Sequence, residues 1–429
     1  MSREMINSGI PWIGDIPKDW KIVRTKNVFF LGKELVGENS INTQLLSLTT
    51  KGIKKVEIGS TSGKVPDSYD TYQIVHKNNL VFCLFDLDCS AVFSGVSNYE
   101  GMISPAYKVL SMQEKYFPQF YGYWFDYIFD GRKYKYLSKN IRYSLTYDEF
   151  SALGIVAPKY TEQQKIASFL DKKCAEIEEM ITLQEKIIEE LKAYKQSVIT
   201  EAVTKGLNPN APMKDSGIEW IGEIPEHWEV KRLKFLADEM FKGNGITKEE
   251  VFIDGDTQCV RYGEIYSKYN GSFYTCVSKT KKDVIQSTRY FSHGDILFAG
   301  TGELVEEIGK NIVYIGYELC LAGGDIIVLR HNQNPIFLNY LLNSKYAQCQ
   351  KCCGKAKLKV VHISASEIGN IMIAIPSTSE QQQIADYLDN KCFAIDNLIS
   401  IKQQKIEELK DYKKSIIYEY VTGKKEVEE

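Results

Sequence analysis

The sequence predicts an α+β chain built as a pseudo-twofold tandem repeat, with two globular α/β domains separated by a long antiparallel two-helix coiled coil. Three observations carry this expectation. The stretch SGIPWIGDIPKDW at 8–20 recurs as SGIEWIGEIPEHW at 216–228. A long stretch with helical apolar spacing at 161–206 recurs at 379–424. The blocks between these landmarks, roughly 21–160 and 229–378, show little mutual resemblance. Self-similarity of this kind marks repeated supersecondary units. Here a shared scaffold carries two different inserts.

The first element is the repeated strap, in which Trp12 matches Trp220 and Trp20 matches Trp228. Next comes a block of short β-type runs such as LVFCLF (80–85), with a helix-like stretch FPQFYGYWFDYIFD (117–130) near its end. Pro158 stops the strand-like run GIVAP before the long helix at 161–206. Thr161 and Gln164 are spaced as a capping box, and Gly206 suits the helix end. The second copy repeats the order. Its β-type runs include GDIIVLR (324–330), its helix-like stretch is NPIFLNYLLNSKYAQCQ (334–350), and Pro376, Ser379 with Gln382, and Gly423 punctuate the second long helix.

Both long helices carry an apolar heptad seam: Ile177, Ile181, Ile188, Leu191 and Val198, then Ile395, Ile399, Ile406, Leu409 and Ile416. Gln184 and Lys402 interrupt it at the same place. About 42 helical residues at 1.5 Å each make a rod of about 60 Å. The link after Gly206 spans at most roughly 35 Å. The second block therefore sits at the far end of the first helix, and its own helix runs back antiparallel. The resulting division is 1–160 strap and first domain, 161–206 first helix, 207–215 linker, 216–378 strap and second domain, 379–424 second helix, and 425–429 an acidic tail.

Composition excludes several classes. An apolar fraction of 44% argues against wholesale disorder. No apolar run reaches membrane-spanning length, and the N-terminal residues lack a signal core. Ten cysteines without a regular framework suit a reducing compartment, so the expected location is cytoplasmic. Net charge is −3, but it is unevenly spread. Residues 21–160 hold 17 Lys and Arg against 13 Asp and Glu, and residues 229–378 hold 18 against 16. Two cationic blocks on an acidic scaffold are compatible with two nucleic-acid-facing domains.

The candidate contacts follow each helix-like stretch, in GRKYKYLSKNIRYSLT (131–146) and KCCGKAKLKVVHIS (351–364). Basic residues interleaved with tyrosine suit phosphate and base-edge contact. The DNA-binding candidates are Arg132, Lys135, Lys139, Arg142 and Tyr143, then Lys355, Lys357 and Lys359, with Arg261 and Tyr262 from VRYGEIYSKY. A solvated loop is the competing explanation for each.

No catalytic constellation emerges. FAGTG (298–302) fits a short S-adenosylmethionine-loop pattern and NPIF (334–337) approaches an amino-methyltransferase motif. The second proline is missing and the separation leaves no room for the βα units of such a sheet. GDILFAGTGE reads instead as a strand and turn. GELVEEIGKN lacks the spacing of a phosphate-binding loop. Cys349 and Cys352 form one CxxC without a second pair, so free thiols rather than zinc are expected even with His362 nearby. His76, His227, His293, His331 and His362 show no metal or triad spacing. No metal and no catalytic residue is expected.

The strap W-I-G-[DE]-I-P-x-x-W, the P-x-x-[ST]-E-Q-Q-x-I-A helix start, and the series RYGEIY, GDILFAGTGE, GGDIIVLR and VVHIS strongly resemble the specificity subunits of type I restriction–modification enzymes. The resemblance spans nearly the whole chain. It implies a non-enzymatic subunit whose two domains are target-recognition domains, each reading one half of an asymmetric bipartite sequence in double-stranded DNA, with the coiled coil setting the spacer. It further implies two modification (methyltransferase) subunits and restriction (translocase/endonuclease) subunits as partners. S-adenosylmethionine, ATP and Mg are expected on those partners and no cofactor on this chain. The middle of the first domain, KGIKKVEIGSTSGKVPDSYD, departs most from the family. A coiled-coil scaffold that reads no sequence, or an antirestriction decoy, is the alternative.

Overall fold

A computed structural model describes residues 3–57, 66–137, 143–282, 289–355 and 360–427. The chain divides into two compact units, Met1–Glu185 with Gln403–Glu429, and Lys186–Lys402. The division falls inside both long helices, so each unit owns one of the two dissimilar blocks, one strap and a half of each helix.

In the first unit the strand Lys21–Arg24 leaves the strap and pairs antiparallel with Gly154–Ala157, the last strand before the long helix. Between them lie two four-stranded sheets. One orders Phe29–Leu31, Lys108–Met112, Leu80–Phe82 and Ser94–Val96, all antiparallel. The other holds Leu45–Thr49 parallel to Gly101–Ile103. Helix α1 (Pro118–Asp130) opens with proline at its first turn, where no amide hydrogen is needed. It buries Tyr121 against Phe29, Phe125 against Phe29, Phe82 and Phe150, Phe120 against Trp20, and Trp124 against Trp12. Phe82 and Phe125 meet edge-on, 4.8 Å apart at 89°.

The second unit repeats this plan with different side chains. Glu229–Arg232 pairs with Met372–Ile375. Ala237–Lys242, Ile326–His331, Ile296–Ala299 and Asn311–Tyr314 take the places of the four strands above. Its core joins the aliphatic side chains Ile296, Ile327, Leu329, Leu338 and Leu341 to a second cluster in which Phe273, Phe291 and Tyr314 pack ring against ring. The expected helix at 334–350 is broken in two. Ser344 starts a new turn and its hydroxyl donates to Leu341 O.

The long helices are α2 (Tyr160–Lys205) and α6 (Thr378–Val421); the label α3 is given to Tyr262–Ser267, α4 to Pro335–Leu342 and α5 to Lys345–Cys352. Within each unit the two halves run antiparallel. In the first, the Phe169 ring lies 4.4 Å from that of Tyr420 and Glu178 pairs with Lys413 at 2.7 Å, so partner numbers fall as the first rise. In the second, Lys195 holds both oxygens of Asp396 at 2.7 Å. Eight seam residues are buried, while Leu191 and Ile399 are half-buried.

The expected capping boxes at Thr161 and Ser379 are corrected. Both helices start earlier, so these residues already lie inside the first turn. In the second unit the capping hydroxyl is Ser377, which accepts from Glu380 N at 3.3 Å; in the first, Lys159 O accepts from Glu162 N. True boxes stand elsewhere, at Thr146 with Glu149 and Ser364 with Glu367.

The strap is a joint. Trp20 is buried and donates its indole N–H to Glu162 at the start of α2. Gly423, at φ +70°, lies against it after the end of α6. A Cβ there would come within 2.4 Å of Pro17. Trp228, Glu380 and Gly206 repeat the arrangement in the second unit.

Candidate nucleic-acid interface

Two glutamines from the repeated E-Q-Q bind each block to its helix. Gln163 is fully buried; its Oε1 accepts from Phe117 N at 2.8 Å and its Nε2 donates to Pro158 O at 2.8 Å. Gln381 likewise accepts from Asn334 N and donates to Pro376 O and Gln333 Oε1. Two turns further along each long helix, Tyr123 donates to Asp171 at 2.7 Å and Tyr340 to Asp389 at 2.8 Å. The dissimilar blocks thus share a P-x-F-x-x-Y pattern, 118–123 and 335–340, that positions one tyrosine identically. Composition could not reveal it, but aligning the two helix starts does.

With the frame fixed, the candidate contacts can be placed. Arg132, Lys135 and Tyr143 come together around Asp88. Asp88 takes a hydrogen bond from Tyr134 Oη at 3.2 Å and pairs with Lys135 at 3.4 Å and Arg132 at 3.8 Å. Lys135 also lies 5.1 Å over the Tyr143 ring. Arg132 and Tyr143 both adopt left-handed backbone, φ 50°, which costs a non-glycine residue about 1–3 kcal/mol and collects where geometry is functional. Lys139 and Arg142 lie outside the described residues, as do Lys357 and Lys359.

In the second unit Arg261 caps α3, its backbone N–H held by Glu264, and Tyr262 is exposed. Tyr266 on the same helix donates to Thr301 O, and Thr301 meets His362 at 3.1 Å. Lys355 donates to His362 O and pairs with Glu367. These residues form one connected patch. Lys355 is a tethered side chain there, its three donors directed partly inward.

Beneath this patch lies a residue the sequence did not mark. Lys351 is 1% exposed, and its three ammonium donors meet Gly309 O, Leu342 O and Asn311 Oδ1 at 2.7, 2.7 and 2.9 Å. Burial drives its pKa down to about 7 despite this matched set of acceptors.

No group of three or more metal-ligating side chains occurs among the described residues. Cys352 is engaged as a donor to Val305 O. The histidines serve packing and local pairing: His76 bridges Glu34 and Glu100, His227 meets Glu380, and His293 stacks on Tyr317. FAGTG forms the end of Ile296–Ala299 and the two-residue strand Thr301–Gly302, which pairs with Val361–His362. No helix among the described residues is long and apolar enough to cross a membrane.

Comparison with known proteins places this geometry. Residues 225–411 match the model of the type I restriction modification DNA specificity domain. The type I restriction enzyme MjaVIII specificity subunit of Methanocaldococcus jannaschii is 28% identical over 64% of this chain and 63% of its own length. The putative MjaX specificity subunit of the same organism is 32% identical over 47% of each. The chain thus spans somewhat under two thirds of the curated relatives it matches. Two solved structures share the fold at 15% identity, each covering 95% of this chain and 98% of the other. One, from work on assembly and conformational transition of a type I R-M system, has a TM-score of 0.72, and the HsdS subunit of Thermoanaerobacter tengcongensis has 0.53. Residues 225–411 are therefore similar to a type I restriction modification DNA specificity domain, and the chain as a whole to the type I specificity subunits.

Proposed function

We propose that this chain is the non-catalytic, DNA-reading subunit of a type I restriction–modification complex, with each unit reading one half of an asymmetric bipartite target. One observation carries this most directly. Two units share backbone plan, strap and helix joint, yet present unlike side chains at equivalent surfaces. A shared frame with two surfaces is what an asymmetric target in two halves requires, since identical units would read a palindrome.

The helix pair then acts as a ruler for the unread base pairs between halves. Modification and restriction subunits are the partners, carrying S-adenosylmethionine, ATP and Mg. The cytoplasm is the compartment. Target adenines leave the duplex to reach the modification subunits. Arg132, Lys135, Tyr143, Arg261, Tyr262 and Lys355 are the interface candidates whose geometry supports a part in DNA contact.

The test is DNA binding by the complex over a salt series. A reader making several phosphate contacts loses affinity with a log–log slope of about −0.9 per contact, and prefers its target over random duplex about a thousandfold or more. A flat salt response with no sequence preference would instead support the scaffold alternative.

A further inference from the structure

We infer that the loop at 83–93, with its counterpart at 300–310, is the base-reading element of its recognition unit, and that Asp88 and Lys351 are the positioning residues that hold these loops. This rests on the proposed function and deepens it. Neither loop was among the sequence candidates.

The two loops occupy the same place in the topology. Each leaves the central strand, Leu80–Phe82 or Ile296–Ala299, and returns through Ser94–Val96 or Asn311–Tyr314. Each is crossed at its start by the same backbone bond, Leu145 N to Leu84 O and Ile363 N to Gly300 O. In both, the bonding segment leads directly into a short box-capped helix, Tyr147–Ala152 or Ala365–Gly369. Their sequences, CLFDLDCSAVF and GTGELVEEIGK, are unrelated.

The anchoring is thorough and chemically different in the two units. In the first, Leu84 and Leu87 are buried, Cys89 and Ser90 amides bond to Asp86 O, and Asp88 gathers Tyr134, Lys135 and Arg132. Phe85 and Cys89 are left exposed at the surface. In the second, three residues of α5 grip the loop by its carbonyls: Gln348 to Ile308 O, Lys351 to Gly309 O and Cys352 to Val305 O. Tyr266 grips the other side at Thr301 O and Glu307 O. Glu303 and Leu304 are left exposed.

A loop held this closely while its tip stays open is a preorganised site rather than a connector. Two unrelated sequences that reach the same arrangement argue that the place, not the sequence, carries the role. The exposed Glu303 carboxylate at the second tip suits an exocyclic amino group of cytosine or adenine in the major groove. The basic side chains around Asp88 would then meet phosphates beside the base read.

Methylation mapping of the source genome in strains carrying single variants tests both loops at once. Asp88→Ala is expected to relax one or more positions of the first half-site, cutting discrimination there about ten- to hundredfold, with second half-site and spacer unchanged. Lys351→Met is expected to do the reverse. Asp88→Glu, which keeps the charge, should restore part of the first half-site's selectivity. Should either positioning variant fail to fold by calorimetry, the exposed pairs Phe85→Ala with Cys89→Ala, and Glu303→Ala with Leu304→Ala, replace it with the same expected split. Intact half-sites in folded variants would overturn the inference while leaving the bipartite motif, and so the proposed function, standing. Absence of any bipartite motif in the parent strain would overturn the function itself.

Discussion

Replacing Gln163 with leucine should loosen the first recognition block from its helix. The change keeps volume but strips the Phe117 amide and the Pro158 carbonyl of the side chain that pairs them, at 2.8 Å each. A buried polar group left unpaired costs about 1–3 kcal/mol, so two cost about 2–6 before the gain from burying leucine. A net loss of about 2–4 kcal/mol lowers the melting temperature of a unit of roughly 200 residues by about 4–16 °C. Scanning calorimetry of the full chain reads the shift. Amide hydrogen exchange reads the cause, since Phe117 N–H should lose protection while amides of the second unit keep theirs. A shift below about 1 °C with unchanged Phe117 exchange would refute the joint. Gln381→Leu is the matched control and should transfer the effect to Asn334.

Other consequences follow from the same frame. A heptad added to both long helices lengthens them by about 10 Å, worth about three base pairs of DNA, so the spacer should grow while both half-sites persist. An unchanged spacer would end the ruler account. Exchanging residues 229–378 for the equivalent block of a type I specificity subunit should replace one half-site only; change in both would contradict the modular plan. The Lys351 ammonium titrates near 7 in the folded chain against 10.5 when free. Over that window the unfolded chain holds the proton that the folded chain releases, so this group's contribution to stability rises with pH, and the burial cost is full below about 7. The stability gap between the parent and Lys351→Met should therefore move in the parent's favour by about 4 kcal/mol from pH 7 to pH 10, measured by urea unfolding. A gap that ignores pH would show the ammonium is not strained by burial.

Much of this fold was legible in the sequence because its signals are local and doubled. The strap tryptophans, the heptad isoleucines and the helix-terminal glycines each appear twice, and a second copy turns a weak pattern into a firm one. The helix starts were read too late because a hydroxyl followed by glutamine mimics a box, whereas the preceding proline had already fixed where the helix begins. The likeness of the two blocks stayed hidden because different residues build their cores, Phe82 against Phe125 in one and Phe291 against Tyr314 in the other. Backbone pairing, which no side-chain list records, makes them equivalent. Charge led to Arg132, Lys135 and Lys355, but charge does not disclose partners. Asp88 and Glu367 hold these residues, and Lys351 looks in sequence like any surface lysine.

The central claim is that one chain reads two unlike half-sites at a fixed separation. Single-molecule methylation mapping of the source genome, with and without this gene, tests it most directly. The account predicts that deletion removes one asymmetric bipartite N6-methyladenine motif, with both halves vanishing together. A methylome that keeps every motif in an organism shown to express the partner subunits would contradict it.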